Sequence, residues 1–174
     1  SEMCIRDRLV TANGEDGVAI YNINPGTFTA NSDGPLNSDF LREIIDLDDD
    51  GVDDRLLVKF ELPDGYAALG VDTFFERGYD RVFVTGSNGQ ESRLFVLNFD
   101  SADITNVSVV GELSIFSNLA RGIEVNNNKT IIAMGDKGFG IVDSYLHTKL
   151  YLSNQIVLPQ SVDALDVTQL KMLN

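Results

Sequence analysis

The sequence contains one cysteine, one histidine and no tryptophan among 174 residues. The single cysteine, Cys4, cannot form a disulfide within the chain, which fits many exported bacterial proteins without establishing export. The one histidine, His147, stands in a chain without a G-x-S-x-G or other nucleophile motif. This argues against a Ser-His-Asp hydrolase, and we expect His147 at the surface or at a strand end. No apolar run is long enough to span a bilayer.

Basic residues are also scarce, because 13 Lys and Arg stand against 27 Asp and Glu and give a net charge of −14. Such a surface repels phosphate backbones and anionic membranes, so we expect no nucleic acid partner and no membrane insertion. Cations, or partners with basic patches, fit the charge better. Simple solubility in a saline environment is the alternative explanation.

The first eight residues, SEMCIRDR, are similar to translated sequencing-adapter read-through at the ends of metagenomic genes, and residues 1–8 are excluded from the fold prediction. Residues 9–174 are long enough for one domain with a core. They start and stop inside apolar patterns, so we interpret the chain as an internal piece of a longer protein. The lack of a signal peptide then says nothing about location.

Short apolar runs rich in β-branched and aromatic residues, separated by Gly, Asn and Asp clusters, predict an all-β chain. The segment 38–47 is also compatible with a helix. The predicted strands lie at 17–23, 54–62, 81–86, 93–99, 107–113, 122–125, 130–135, 140–144 and 164–167.

The chain repeats itself. YAALGVDTFFERGYDRVFVTGSNGQESRLFVLNF aligns with NLARGIEVNNNKTIIAMGDKGFGIVDS, with Gly70 opposite Gly122. The copies span about 66–113 and 118–160, an incomplete one follows at 161–174 with Ala164 in the glycine's place, and a partial one precedes them. This content and spacing predict a β-propeller fragment of about three to four antiparallel blades.

The segment LARGIEV...KTIIAMGDKGFGIVD resembles the LVIVD repeat, and GVAIYNINPG resembles the end of the same repeat. The LVIVD family implies a propeller of secreted or cell-surface proteins of bacteria and archaea, with a role in adhesion or assembly. From the repeat itself we expect Gly70 and Gly122 where inner strands crowd together. Gly86, Gly135 and Gly138 are expected in turns with positive φ.

An aspartate-rich loop, DLDDDGVDD, lies in a predicted hairpin insertion at about 38–62. Carboxylates at alternate positions of a curled loop converge, and Ca²⁺ takes six to eight oxygens. The predicted ligands are the side chains of Asp46, Asp48, Asp50 and Asp54 and the carbonyl of Val52. Gly51 permits the sharp turn, and the remaining aspartates, at positions 49 and 53, are expected to face solvent.

An EF-hand is excluded, because Leu57 stands where its bidentate Glu is required and a strand pattern follows. The loop instead resembles the calcium-binding hairpin loops of FG-GAP and integrin-type propeller blades, which implies a structural Ca²⁺. The alternative is a solvated acidic turn that binds nothing.

Aromatic and basic residues at Phe74, Phe75, Arg77 and Tyr79 are candidates for a recognition surface, with core packing as the alternative. The sequence thus favours a non-catalytic extracellular or cell-surface scaffold that binds protein or carbohydrate. Part of a propeller hydrolase, such as a phytase or lactonase with catalytic residues in missing blades, is the second hypothesis. Open sheet edges predict self-association of this piece.

Overall fold

The computed structural model describes residues 8–23, 46, 48–74, 80–99 and 103–159. Within these residues the strands form three antiparallel sheets, one of three strands and two of four. Strands that follow each other in sequence are hydrogen-bonded neighbours in every sheet. The prediction of an all-β chain is confirmed.

Sheet 1 contains β1 (Arg8–Ala12), β2 (Val18–Asn22) and β3 (Leu56–Phe60) in that order. In the central strand, Val18 pairs with Ala12 on one side and with Phe60 on the other. Residues 56–60, expected in a hairpin insertion, are therefore an edge strand of sheet 1. The aspartate-rich loop connects two neighbouring strands of this sheet.

Sheets 2 and 3 have four strands each, and a single turn of 3-10 helix (Pro63–Gly65) precedes sheet 2. Sheet 2 contains β4 (Ala67–Phe74), β5 (Arg81–Ser87), β6 (Ser92–Phe99) and β7 (Val107–Ile115). Sheet 3 contains β8 (Ile123–Asn126), β9 (Lys129–Ala133), β10 (Phe139–Asp143) and β11 (Tyr151–Ile156).

Every predicted strand that falls on the described residues is present. The sequence pattern does not predict β11, because five of its six residues are exposed and its apolar residues do not alternate regularly. The predicted strand at 164–167 and most of the segment 38–47 lie outside the described residues.

A β-bulge occurs at the same place in all three sheets. The pairing register shifts between Ile20 and Tyr21 in sheet 1, between Val96 and Leu97 in sheet 2, and between Ile141 and Val142 in sheet 3. In each case the shift lies in the pairing of the last two strands. Strands β1, β2 and β3 are therefore equivalent to β5, β6 and β7 and to β9, β10 and β11. The described part of sheet 1 has no equivalent of β4 or β8.

The turn after the equivalent strands β1 and β9 is also duplicated. The Asn13 N–H donates to the Gly17 carbonyl at 2.8 Å, and the Met134 N–H donates to the Gly138 carbonyl at 2.7 Å. Each turn contains two glycines with positive φ. Gly14 and Gly135 lie four positions before the next strand, and Gly17 and Gly138 lie one position before it. The expected positive φ of Gly135 and Gly138 is confirmed.

Sheet 2 is the centre of the structure, because each of its faces packs against a neighbouring sheet. The face toward sheet 1 carries Val82, Val84, Phe95, Leu97 and Phe99, and the face toward sheet 3 carries Phe83, Leu94 and Val96. Alternate residues of one strand thus serve two different apolar clusters. Near-continuous apolar runs in β5 and β6 follow from burial on both faces.

Two glycines of sheet 2 mark close packing. A Cβ on Gly70 would lie 1.8 Å from the carbonyl oxygen of Arg121, just before β8. β4 and β8 are the first strands of sheets 2 and 3. The crowding of first strands that was expected at Gly70 is therefore confirmed. The expectation for Gly86 is wrong, because this residue lies inside β5 and a Cβ there would meet Leu62 Cδ1 at 2.9 Å. Space, and not a turn, requires glycine at position 86.

Candidate metal centre

The aspartate-rich loop returns to sheet 1 through a fixed root. The N–H of Asn22, the last residue of β2, donates to the carbonyl of Arg55 at 2.7 Å. The Leu56 N–H donates to the carbonyl of Asp53 at 2.8 Å, which closes the turn that begins β3. Movements of the loop are therefore coupled to the edge of sheet 1 at residues 53–56.

An ion pair strengthens this root. Arg55 is 7% exposed, and its guanidinium donates to both carboxylate oxygens of Asp53, at 2.8 and 2.5 Å. The hydrogen bond to Asp53 raises the pKa of Arg55 further above its ordinary value. Asp53 was expected to face solvent, and this expectation is wrong. The reason is that the turn folds the side chain of Arg55, two positions further along the chain, back over Asp53.

Three of the predicted ligands come together in the loop that leads to this root. The side chains of Asp46, Asp48 and Asp50 each offer a carboxylate oxygen, and these oxygens lie within 4.8 Å of one another. The loop curls because its carboxylates accept main-chain N–H groups: Asp46 accepts from Asp50 at 3.1 Å and from Gly51 at 2.8 Å. Positive φ at Asp49 and Gly51 completes the curl.

Repulsion among these carboxylates is visible at Asp48. The pKa of Asp48 is raised above its ordinary value, first by the charge of Asp50 and then by loss of solvent, with smaller contributions from Asp54 and Asp46. The N–H of Asp50 lowers it in part. A bound cation would remove this repulsion, because it favours the ionised form of every carboxylate around it.

The donor set fits a hard cation. Oxygens bound to Ca²⁺ lie about 2.3 to 2.6 Å from the ion, so two ligands of one ion can be about 5 Å apart. The spread of the three aspartates is within this limit. Asp54 is close enough to act on Asp48 electrostatically but does not join the cluster. The internal hydrogen bonds also hold the loop without an ion, so its geometry fits calcium and does not require it.

Val52 was expected to contribute its carbonyl. Its side chain is 49% exposed, and its N–H donates to the carboxylate of Asp50 at 2.7 Å. This hydrogen bond fixes Val52 directly beside the cluster. The main chain at position 52 is thus held by one of the proposed ligands.

The candidate recognition surface is only partly described. Phe74 is 8% exposed and lies in the core between sheets 2 and 3, so core packing is its role here. Phe75, Arg77 and Tyr79 lie outside the described residues. The prediction of a recognition surface around them stays a prediction.

His147, expected at the surface or at a strand end, is half-buried in the connection between β10 and β11. Its ring stands edge-on to Phe74 at 5.1 Å and to Phe83 at 5.4 Å between ring centroids. Burial lowers the pKa of His147, and the charge of Arg81 lowers it further. The ring of His147, edge-on to two aromatic side chains of sheet 2, therefore lies at the seam between sheets 2 and 3.

Two acidic residues of neighbouring first strands meet near the contact of β4 and β8. The carboxylate of Asp72 accepts a hydrogen bond from the N–H of Val125 at 2.6 Å and so links the two strands. Burial raises the pKa of Glu124, and the charge of Asp72 raises it further. The repeat places an acid at this position in both copies, and its structural role was not predicted from the sequence.

The sequence also does not predict an open groove of about 490 Å³, which lies beside the turn between β5 and β6 and the turn between β9 and β10. Phe116 stands beside it and is 82% exposed, and charged groups from Glu91, Asp136 and Lys137 also line it. The only signal in the sequence is an aromatic residue that follows a strand pattern in SIFSN, which does not distinguish surface from core.

Comparison of the chain with protein-family models, curated proteins and solved structures found no match. Among the described residues, no helix is long and apolar enough to cross a membrane. The fold and the aspartate loop are therefore the observations from which a function is inferred.

Proposed function

We propose that this chain is part of a β-propeller that acts outside the cell or on its surface as a non-catalytic scaffold, stabilised by one structural Ca²⁺. Three sheets with the same bulge, each packed face to face on the next, support a propeller-like repeat. The net charge of −14 favours partners that carry basic patches and disfavours nucleic acids. A protein or carbohydrate ligand on the surface is the proposed partner.

The observation that carries the calcium proposal is the convergence of Asp46, Asp48 and Asp50, whose carboxylate oxygens lie within 4.8 Å of one another. In this proposal Asp46, Asp48, Asp50 and Asp54 bind the ion through carboxylates, and Val52 binds it through its carbonyl. The ion neutralises the repulsion at Asp48 and fixes the loop on sheet 1. Sites of this kind in extracellular modules have dissociation constants of about 10⁻⁴ to 10⁻³ M, so millimolar calcium would stabilise the fold by about 1 kcal/mol.

Calorimetric titration of the chain from Leu9 onward with CaCl₂ tests the site. We expect saturable binding of one ion, lost in the Asp50→Asn variant and kept in Asp49→Asn. Asp49 is the matched control, because it lies in the same loop and asparagine tolerates its positive φ. Equal loss in both variants would indicate a general charge effect, and no binding to the parent chain would leave a solvated acidic turn.

The second hypothesis, part of a propeller hydrolase, is supported by one observation. Glu124 has a raised pKa and lies beside Asp72 where two first strands meet, as a general acid would. Against this, Asp72 is already bonded to the main chain of β8. In this hypothesis Glu124 would add to a site whose other catalytic residues lie in missing blades. Hydrolysis of a phosphomonoester or lactone by the chain, lost in Glu124→Gln and kept in Asp50→Asn, would favour the enzyme.

A further inference from the structure

The dipeptide Asn-Gly occurs twice in the chain, each time in a turn between two paired strands. Asn13 and Gly14 lie between β1 and β2, and Asn88 and Gly89 lie between β5 and β6. An asparagine followed by glycine can react with itself, because no side chain keeps the glycine nitrogen away from the amide carbon, Cγ, of the asparagine. Both asparagines are exposed to solvent. The hydrogen bonds of the two turns are different, and they decide which asparagine reacts.

The turn between β5 and β6 holds the amide oxygen of Asn88 between two donors. The main-chain N–H groups of Gln90 and Glu91 both donate to Asn88 Oδ1, each at 3.0 Å. The Asn88 N–H donates to the Glu91 carbonyl at 3.2 Å and closes the turn. When a nucleophile adds to Cγ, negative charge develops on Oδ1, and donors that are already in place stabilise this charge. The turn therefore polarises the Asn88 amide for attack.

The same turn also positions the nucleophile, the main-chain nitrogen of Gly89. The Gly89 N–H donates to Oγ of Ser87 at 3.1 Å. The Ser87 hydroxyl donates in turn to the Asn118 carbonyl at 3.1 Å, so a lone pair of Oγ faces Gly89. Accepting this hydrogen bond increases the electron density on the Gly89 nitrogen. In the described part of the chain, nothing lies within 4 Å of a Cβ placed on Gly89, so ring closure meets no steric obstacle there.

We propose that Asn88 is a self-modification site, at which the folded turn promotes conversion of this asparagine to aspartate and isoaspartate. The Gly89 nitrogen forms a bond to Cγ of Asn88 and loses its proton to water. The bond between Cγ and Nδ2 then breaks, and the amide group takes up a proton and leaves as ammonia. Water opens the resulting succinimide at either of its two carbonyls, which gives isoaspartate or aspartate. The reaction consumes only water and needs no oxidant or cofactor.

The turn at Asn13 protects its glycine from the same reaction. The Gly14 N–H donates to the Ala68 carbonyl at 3.0 Å, and the Gly14 carbonyl accepts from the Ala68 N–H at 2.8 Å. This pair of hydrogen bonds joins the turn to β4 of sheet 2. The Gly14 nitrogen can attack only after its bond to Ala68 opens. Each such bond lowers the reactive population by up to about tenfold, so we expect Asn13 to react at least about tenfold more slowly than Asn88 in the folded chain.

Conversion of Asn88 changes the end of sheet 2 that borders the open groove, which Gln90 and Glu91 line. Both products add a negative charge to the turn, and isoaspartate also places its β-carbon in the main chain. The Glu91 carboxylate accepts hydrogen bonds from the hydroxyl of the buried Tyr66 and, at 2.8 Å, from Arg93. A shift of the turn therefore disturbs contacts of a core residue. We expect the converted protein to have a lower Tm than the freshly prepared protein.

Incubation of the whole chain at neutral pH, once folded and once in guanidinium chloride, tests the proposal. Mass spectrometry of peptides follows the change from amide to acid at residues 13 and 88, and chromatography separates isoaspartate, the product of the succinimide route, from aspartate. The two sites should react equally fast in denaturant. In the folded chain, residue 88 should react faster than in denaturant, and residue 13 at least about tenfold more slowly than residue 88. A folded rate at residue 88 that is no higher than in denaturant, or equal folded rates at the two sites, would overturn the proposal.

Two variants of Ser87 test its role as a positioning residue. Ser87→Thr keeps the hydroxyl and should keep the folded rate at residue 88, whereas Ser87→Ala should lower it toward the rate in denaturant. Both variants should react like the parent chain in denaturant, and circular dichroism confirms that both are folded. Equal folded rates for the two variants would contradict the role of Ser87. The comparison of the folded with the denatured parent chain tests the site even where a variant does not fold.

Discussion

Gly17 and Gly14 lie in the same turn between β1 and β2, and both have positive φ, 76° and 63°. An alanine at either position pays for a left-handed backbone, about 1 to 2 kcal/mol. Only Gly17 is also crowded: its Cβ would lie 2.1 Å from the carbonyl oxygen of Phe60, whereas nothing lies within 4 Å of a Cβ on Gly14. The clash should add about 1 to 3 kcal/mol, as overpacking does.

The equivalent turn of sheet 3 supplies an internal replicate. A Cβ on Gly138 would lie 2.0 Å from the carbonyl oxygen of Ile156, and one on Gly135 would meet Leu119 only at 3.4 Å. Urea unfolding of the four alanine variants, followed by circular dichroism at one protein and calcium concentration, measures the differences. We expect Gly17→Ala and Gly138→Ala to cost about 1 to 3 kcal/mol more than Gly14→Ala and Gly135→Ala, respectively. Equal costs within each turn would refute the close approach of β3 to Gly17 and of β11 to Gly138, and with it the equivalence of sheets 1 and 3.

Two further predictions concern ion pairs. Arg55→Met leaves the carboxylate of Asp53 without its guanidinium and should lower the free energy of unfolding by about 2 kcal/mol, against less than about 1 for the exposed pair removed by Lys59→Met. Equal losses in urea unfolding would contradict the role of the loop root. The hydrogen bond from Lys129 lowers the pKa of Asp143, so its stabilisation is present above the ordinary value of 3.8 and is lost as the pH falls through the lowered pKa. The difference in Tm between the parent chain and Asp143→Asn should shrink as the pH falls below 3.8, and a difference that does not change with pH would refute the assignment.

The sequence predicts most strands because their chemistry is local. Alternating or continuous apolar runs such as RLFVLNF form a strand wherever the partners lie, and β6 is found there. The sequence does not predict to which sheet a strand belongs, because the pairing partner can lie far away along the chain. β3 pairs with β2 across more than thirty intervening residues, and only the register of Val18 with Phe60 places it in sheet 1. No periodicity in the sequence encodes that partner.

The aspartate loop shows the same division. Spacing predicts that Asp46, Asp48 and Asp50 converge, because alternate side chains of a tight loop point to one side, and the structure brings them within 4.8 Å. Spacing also predicts that Asp53 faces solvent. The structure differs because the turn into β3 brings the guanidinium of Arg55 against the Asp53 carboxylate. Whether a carboxylate meets a cation or a guanidinium depends on how the chain leaves the loop, which composition does not determine.

The three sheets share backbone geometry at a few positions more clearly than they share sequence. The three bulges fall on Ile-Tyr, Val-Leu and Ile-Val pairs, and a basic residue begins the equivalent strands β5 and β9, at Arg81 and Lys129. The aspartate loop occupies the place that the short connections 100–106 and 144–150 have in sheets 2 and 3. It is therefore an enlarged version of a connection that all three sheets possess. In the described part of this connection, main-chain hydrogen bonds join it to sheet 1 at residues 53–56, so an ion in the loop is expected to stabilise sheet 1 through this root. The effect of calcium on stability should accordingly be lost when that root is broken, even where binding itself persists.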